Sequence, residues 1–349
     1  MKTTTVSTAA LTNATRETRT NLQVKLAEGQ KEATTGRLAD VGLSLGYLTQ
    51  RTVSLRQDLD RLNTFKDTNA VASSRLELTQ TTLEGVGEAA QEFLQTLVAA
   101  RASRSSDNVA ITDAKQKLTS FNAAMNTAVN GAHIFAGVNT DVKPLTDYYG
   151  TPTSAARTAM ADAFVNEFGV AQSQSGVESI SGAQMSAFLD GAFNDLFDTA
   201  NWTANWSAAS EQNITSRINS NERIATSTNA NEAAFRSIAA AYTMISDIGL
   251  EELNEEAYQT VLDKAIAVVG QAVGDLTQVR AGLGTSEERI AAANERIEIQ
   301  VTIMNEHITT LEGVDPYEAT ANVNALLTQI ETAYALTARL QNLSLINHI

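Results

Sequence analysis

Cysteine is absent from the 349 residues, which excludes a disulfide framework and any thiolate metal site. Proline occurs three times, so little in the chain interrupts long helices. Aromatic residues make up 5%, and five of the ten Phe and both Trp fall between Phe164 and Trp206. One compact core is expected there. Basic charge is also short: 25 Lys and Arg against 40 Asp and Glu give a net charge of −15. That argues against nucleic acid as a partner, because neutralising phosphates needs a basic face. Only the stretch up to Glu32 leans basic, with Lys2, Arg16, Arg19, Lys25 and Lys31 against Glu17, Glu28 and Glu32. Long apolar runs are missing too. No window is apolar enough to span a bilayer, so no membrane insertion is expected. The opening "MKTTTVSTAALTNATRETR" lacks the apolar segment of a secretory signal peptide.

Heptads are abundant. Leu48, Leu55, Leu62, Asn69, Leu76, Leu83, Ala90 and Leu97 recur every seven residues, accompanied by Phe65, Ala72, Thr79, Val86, Phe93 and Ala100. This is a sustained a/d seam, and a helix from Leu45 to Ala100 is roughly 80 Å long at about 1.5 Å per residue. A second seam runs through Leu262, Val269, Leu276, Leu283, Ile290, Ile297, Met304 and Leu311. Burying each Leu or Ile contributes about 1.5–3 kcal/mol, so the two seams are expected to pair antiparallel. A helix from Asp107 to about Val129 joins them. Asn69 in an a-type position either sets register or faces solvent. Gly85 and Gly87 mark either a bend or a tolerated weak spot, and "GLG" at Gly282–Gly284 reads as a break or turn near a helix.

Between Asn139 and Ala230 the heptad disappears. "KPLTDYYGTPTS" reads as a loop, and two short amphipathic helices bring Phe164, Phe168, Phe188, Leu189, Phe193 and Phe197 to one core. Ile214, Ser216 and Ile218, then Ile224, Thr226 and Thr228, alternate on either side of "NSNE", which is a hairpin signal.

The fold class is therefore mainly α: a long antiparallel coiled-coil-like helical rod formed by N- and C-terminal limbs, with an inserted small α+β domain. The expected segments are a terminal helix and linker at 1–44, disordered in the monomer, and the N-terminal limb at 45–138. The inserted domain follows at 139–235 with its hairpin near 212–228, then the C-terminal limb at 236–314 and a terminal helix at 315–349. Pro316 separates the last two.

Nothing points to chemistry. His133, His307 and His348 lack the spacing of metal ligands or of a catalytic triad, and neither a phosphate loop nor a nucleophile elbow is present. "EELNEE" suits the start of a helix and lacks the spacing of a calcium loop. No catalytic residue, metal site or cofactor is expected, and the chain is not read as an enzyme.

The C-terminus is the odd element. Val323, Leu326, Leu327, Ile330, Tyr334 and Leu340 form one apolar stripe, and Leu336, Leu343, Leu345 and Ile346 widen it beyond one face. A helix apolar on several sides is normally covered from several sides. Its own chain offers one partner, the Thr-rich N-terminal stretch with Val6, Leu11, Leu22 and Leu26. These residues are the expected assembly interface, with the termini folding as subunits associate. The alternative is a tail that folds back on its own rod.

"HIFAGVNTDVKPL" (133–145), "LAEGQKEATTGRLADVGLSLG" (26–46), "VRAGLGTSEERI" and the final "TARLQNLSLINHI" resemble bacterial flagellar axial proteins of the flagellin-like superfamily. Within it they resemble most the hook-associated protein 3 family of the hook–filament junction. The Arg-Leu-Ser-Ser-Gly-like and Gln-Ala-Asn elements usual in filament flagellins are absent, and "LADVGLSLG" replaces the Asp/Pro-rich turn of many relatives. The resemblance implies a non-catalytic, extracellular flagellar protein, exported through the flagellar type III apparatus without a cleaved signal peptide. It implies a ring of its own copies, with an adjacent hook-associated junction protein, flagellin and an export chaperone as partners. Filament flagellin is the alternative, and a type III needle-tip or translocator protein a more distant one.

Overall fold

The computed structural model describes residues 8–346, with side chains for Ala10 and residues 13–339. In chain order the elements are α1 (Thr8–Thr35), α2 (Val41–Leu45), α3 (Thr49–Ala102), α4 (Asp107–Met125), β1 (Ala128–Val129) and β2 (Ala132–His133). There follow α5 (Ala155–Phe168), α6 (Gly182–Asp190), α7 (Ala192–Asp195), α8 (Thr199–Asn205), β3 (Thr215–Asn219) and β4 (Glu222–Ala225). The last three are α9 (Ala233–Asp247), α10 (Glu255–Glu312) and α11 (Pro316–Ile346). The described residues form two compact units, one from residues 65–295 and one from residues 8–64 with 296–346.

The larger unit is organised by the two seams. Leu76, Leu83, Val86, Ala90, Phe93, Leu97 and Ala100 of α3 are buried, as are Leu262, Val269, Leu276, Leu283 and Ile290 of α10. The helices run antiparallel. Asn69 Nδ2 donates to Asn294 Oδ1 at 2.7 Å, Gln80 Nε2 to the Arg280 carbonyl at 2.8 Å, and Tyr258 Oη to the Ala100 carbonyl at 3.0 Å.

Both glycine expectations are now decided. Helix α3 runs unbroken past Gly85 and Gly87, and a Cβ at Gly87 would come within 3.3 Å of Leu276 Cδ2. That glycine permits close approach of the two helices. Gly282–Gly284 is not a break: it lies inside the continuous α10, where seam burial outweighs about 1 kcal/mol of weak propensity per glycine.

The helix starting at Asp107 is shorter than expected. It stops at Met125, and residues 128–133 make an antiparallel ribbon instead. Asn130 and Gly131, both at positive φ, turn that ribbon. Asn126 then behaves like a strand neighbour: its Nδ2 donates to the Leu145 carbonyl at 2.9 Å and its Oδ1 accepts from Leu145 N at 2.8 Å. The "IFAG" residues Ile134, Phe135 and Ala136 are buried. Phe135 meets Phe235 edge-on at 5.9 Å, and the Phe135 carbonyl accepts from Ala230 N at 2.8 Å.

Local signals set the short helices. Ser154 caps α5 by accepting from Arg157 N, and Ser181 with Gln184 forms a capping box at α6. Asp198 caps α8 through Asn201 N. These helices bring the aromatics into contact. Phe188 lies between Phe164 at 5.6 Å and Phe193 at 6.0 Å, and Trp206 stacks on Trp202 and on Tyr148, each at 5.0 Å. Behind them α9 packs on α4, and Tyr242 of α9 sits edge-on to Phe121 of α4 at 6.5 Å and to Phe93 of α3 at 4.9 Å. The β3–β4 hairpin turns at Ser220–Asn221 and buries Ile218 and Ile224.

Candidate assembly interface

The smaller unit holds the pair α1 and α11. Threonine is a weak helix former, yet here its hydroxyls bond back within the helix. Thr18 donates to the Ala14 carbonyl at 2.8 Å, Thr34 to Gln30 at 2.8 Å, Thr328 to Asn324 at 3.0 Å and Thr337 to Ala333 at 2.7 Å. The helices meet closely at Gly29, where a Cβ would lie 3.2 Å from Val323 Cγ2 and 3.9 Å from Leu326 Cδ1. Further along, Gln23 Nε2 donates to Tyr334 Oη at 3.2 Å, and the Arg19 guanidinium lies 5.4 Å over the Tyr334 ring.

The proposed interface residues divide by burial. Ile330 is buried, while Leu22, Leu26, Val323 and Leu326 are half-buried. Leu327, Tyr334 and Leu336 remain exposed, Leu336 at 52%. Val6 lies outside the described residues, as do the side chains of Leu11, Leu340, Leu343, Leu345 and Ile346. Pairing with α1 thus covers one row of α11 and leaves Leu327 and Tyr334 at its edge and Leu336 on the opposite side in water.

A latch that the sequence does not signal sits where the two helices leave the unit's other segments. Leu38 N donates to the Glu312 carbonyl at 2.9 Å and Val314 N to the Gly36 carbonyl at 3.0 Å, making a short bridge between Arg37 and Gly313. Lys31 Nζ donates to the Ala39 carbonyl at 2.8 Å, and Ala39 N donates to Glu32 Oε1 at 3.0 Å. Both oxygens of the buried Glu312 carboxylate accept from Arg56. The only sequence hint is a carboxylate directly after the seam residue Leu311, followed by Gly313.

The segment "LADVGLSLGYL" forms the short helix α2, capped by Asp40 Oδ1 accepting from Leu43 N at 2.8 Å. Nothing in α2 is buried. Leu43 is 83% exposed, Tyr47 90% and Tyr317 88%.

Among the described residues no group of His, Cys, Asp and Glu is arranged to hold a metal ion, and no helix is long and apolar enough to cross a membrane. His133 Nδ1 lies 2.9 Å from the Asn126 carbonyl, and His307 is exposed.

Residues 6–140 match the family model of the bacterial flagellin N-terminal helical region, and residues 266–349 that of the flagellin C-terminal helical region. No curated protein matches the chain. Among solved structures it is similar to a Vibrio parahaemolyticus chain provisionally described as a flagellar hook-associated protein. The identity is 9% and the TM-score 0.52, over 76% of this chain and 97% of that one. It is also similar to Bacillus cereus FlgL at 14% identity and a TM-score of 0.40, over 75% of this chain and 98% of the other. At such identities the Vibrio likeness speaks for the fold alone. The two flagellin regions, lying on the two helical limbs that pair in both units, make this chain a member of the flagellin-like family of flagellar structural proteins.

Proposed function

We propose that this flagellin-like protein forms the junction between the flagellar hook and the filament. Copies associate as a ring, with a neighbouring hook-associated junction protein on one side and the first flagellin subunits on the other, and an export chaperone guards the chain before assembly. In this reading residues 1–44 and 315–349 are the assembly segments, residues 45–138 and 236–314 the helical limbs, and residues 139–235 an inserted outer domain. The observation that carries it is the apolar surface left uncovered on α11. Leu327 and Leu336, on opposite sides of the helix, stay exposed although α11 already has α1 as a partner, and burying such surface between copies contributes about 25 cal/mol per Å². Ordering the terminal helices at that step costs conformational entropy, so folding and association are coupled. Interface candidates for this step are Val6, Leu11, Leu22, Leu26, Val323, Leu326, Leu327, Ile330, Tyr334, Leu336, Leu340, Leu343, Leu345 and Ile346.

Two experiments test this reading. Deleting residues 322–349 is expected to leave the unit of residues 65–295 folded while abolishing ring formation, and a truncated chain that still assembled would contradict it. Disrupting the gene is expected to leave hooks intact and release unpolymerised flagellin into the medium. Hooks still bearing full filaments would exclude the junction role. Loss of flagellin itself would favour the filament reading, which the match to flagellin helical regions also supports.

A further inference from the structure

A heptad seam has a built-in ambiguity. Because an apolar residue recurs every seven residues along most of both seams, sliding one helix past the other by one heptad again sets apolar against apolar side chains. The limbs that must find each other are far apart in sequence, so nothing local selects the correct match.

Four contacts meet at the level where this ambiguity is broken. Asn69, buried at an a-type position of α3, donates from Nδ2 both to Asn294 Oδ1 of α10 at 2.7 Å and to the Ile218 carbonyl of β3 at 3.1 Å. On one flank of the hairpin, Glu222 Oε1 accepts from Arg289 of α10 at 2.8 Å. On the other, the Arg217 guanidinium lies 6.0 Å over the Phe65 ring of α3. The hairpin therefore touches each long helix by its own side chain and both together through one amide.

We infer that the β3–β4 hairpin is a clasp that selects the axial register of α3 against α10, with Asn69 as the residue on which that selection turns. A slip of one heptad sets Asn69 against Val301 and Asn294 against Leu76. It leaves two amides without partners and parts the hairpin from one of its helices. Apolar pairs elsewhere in the seam lose far less in such a slip than the amide pair does.

The chain has no cysteine, so introduced pairs report register without background. Gln80 and Arg280 meet in the native match. The pair Gln80→Cys with Arg280→Cys reads native register, and Gln80→Cys with Glu287→Cys reads the slip of one heptad. The full chain carrying either pair is unfolded in urea, refolded and oxidised, and intramolecular cross-linking is measured on denaturing gels. With Asn69 intact only the native pair is expected to link. In the Asn69→Leu, Asn294→Leu background the slipped yield is expected to rise at least about tenfold, since the slipped state no longer strands the buried Asn69 amide and its half-buried partner. A native link alone in a normally helical double-leucine chain overturns the inference. Should that chain not refold, Asn69→Gln is read in the same way, because its longer side chain keeps the amide but misplaces it. As a second arm, Glu222→Gln, a surface change, is expected to speed amide exchange over Thr215–Ala225 while leaving α4 and α9 unchanged. Unchanged exchange in the hairpin equally overturns the clasp.

Discussion

Arg56 grips Glu312 with two bonds, from Nε to Oε1 at 3.0 Å and from Nη2 to Oε2, and Glu312 is 1% exposed while the arginine is half-exposed. The pair sits beside the backbone bridge that joins Leu38 and Gly36 to Glu312 and Val314. The guanidinium proton is held more tightly than usual, first by the hydrogen bond to Glu312.

Removing this arginine strands a buried carboxylate. Arg56→Ala is expected to cost about 1–3 kcal/mol, below the loss for a fully buried pair because water reaches the guanidinium. The urea midpoint and the exchange rate of the Leu38 amide measure it, and Arg56→Lys is expected to recover only part, since an ammonium lacks the two-pronged geometry. An unchanged Leu38 amide in Arg56→Ala would show that the bridge does not depend on the pair.

Close approach of α1 and α11 depends on Gly29. A Leu there gains helix propensity, but its Cβ starts 3.2 Å from Val323. Gly29→Leu is therefore expected to preserve or raise helicity by circular dichroism while exposing α11 to faster hydrogen exchange. Exchange in α11 as slow as in the parent chain would count against tight pairing at this point.

Gly137 in the "IFAG" loop has φ +62°, and a Cβ would lie 2.5 Å from the Ser210 carbonyl. Gly137→Ala carries both a left-handed backbone cost and a clash with backbone, so a loss of more than about 1 kcal/mol is expected. Thermal unfolding measures it. Gly85→Ala, where a Cβ meets nothing, is the control and is expected to stabilise.

High pH probes the core around α9. Burial raises the Tyr149 phenol to about 12. Burial also raises Tyr148 and Tyr242 further, followed by the nearby Asp247 and Asp113 carboxylates respectively. A phenol whose folded value exceeds its unfolded one holds its proton more tightly in the fold. That stability is complete below about pH 10 and is lost as pH rises through the raised values. Tyrosinate absorbance is expected to show these three of the seven tyrosines silent until alkaline unfolding. Titration of these three before unfolding would contradict the packing.

The heptads of α3 and α10 are legible in the sequence. So are the mainly helical class, the pairing of the limbs and the aromatic cluster of Phe164, Phe188 and Phe193. Each follows from the spacing of apolar residues, and spacing is a property of the chain itself. The terminal stripes at Leu22, Leu26, Val323 and Ile330 were visible in the same way. What those stripes meet in the assembled state is not written in one copy.

Other features were decided only when distant segments met. Gly282–Gly284 reads locally as a break, yet burial of Leu283 keeps α10 continuous. Asn69 reads equally as solvated or buried, and the choice came from Asn294 and Ile218, both more than a hundred residues away. The Arg56–Glu312 latch leaves no pattern because an ion pair needs no periodicity, only proximity. Periodic burial is encoded along the chain; satisfied polar groups are encoded between its parts.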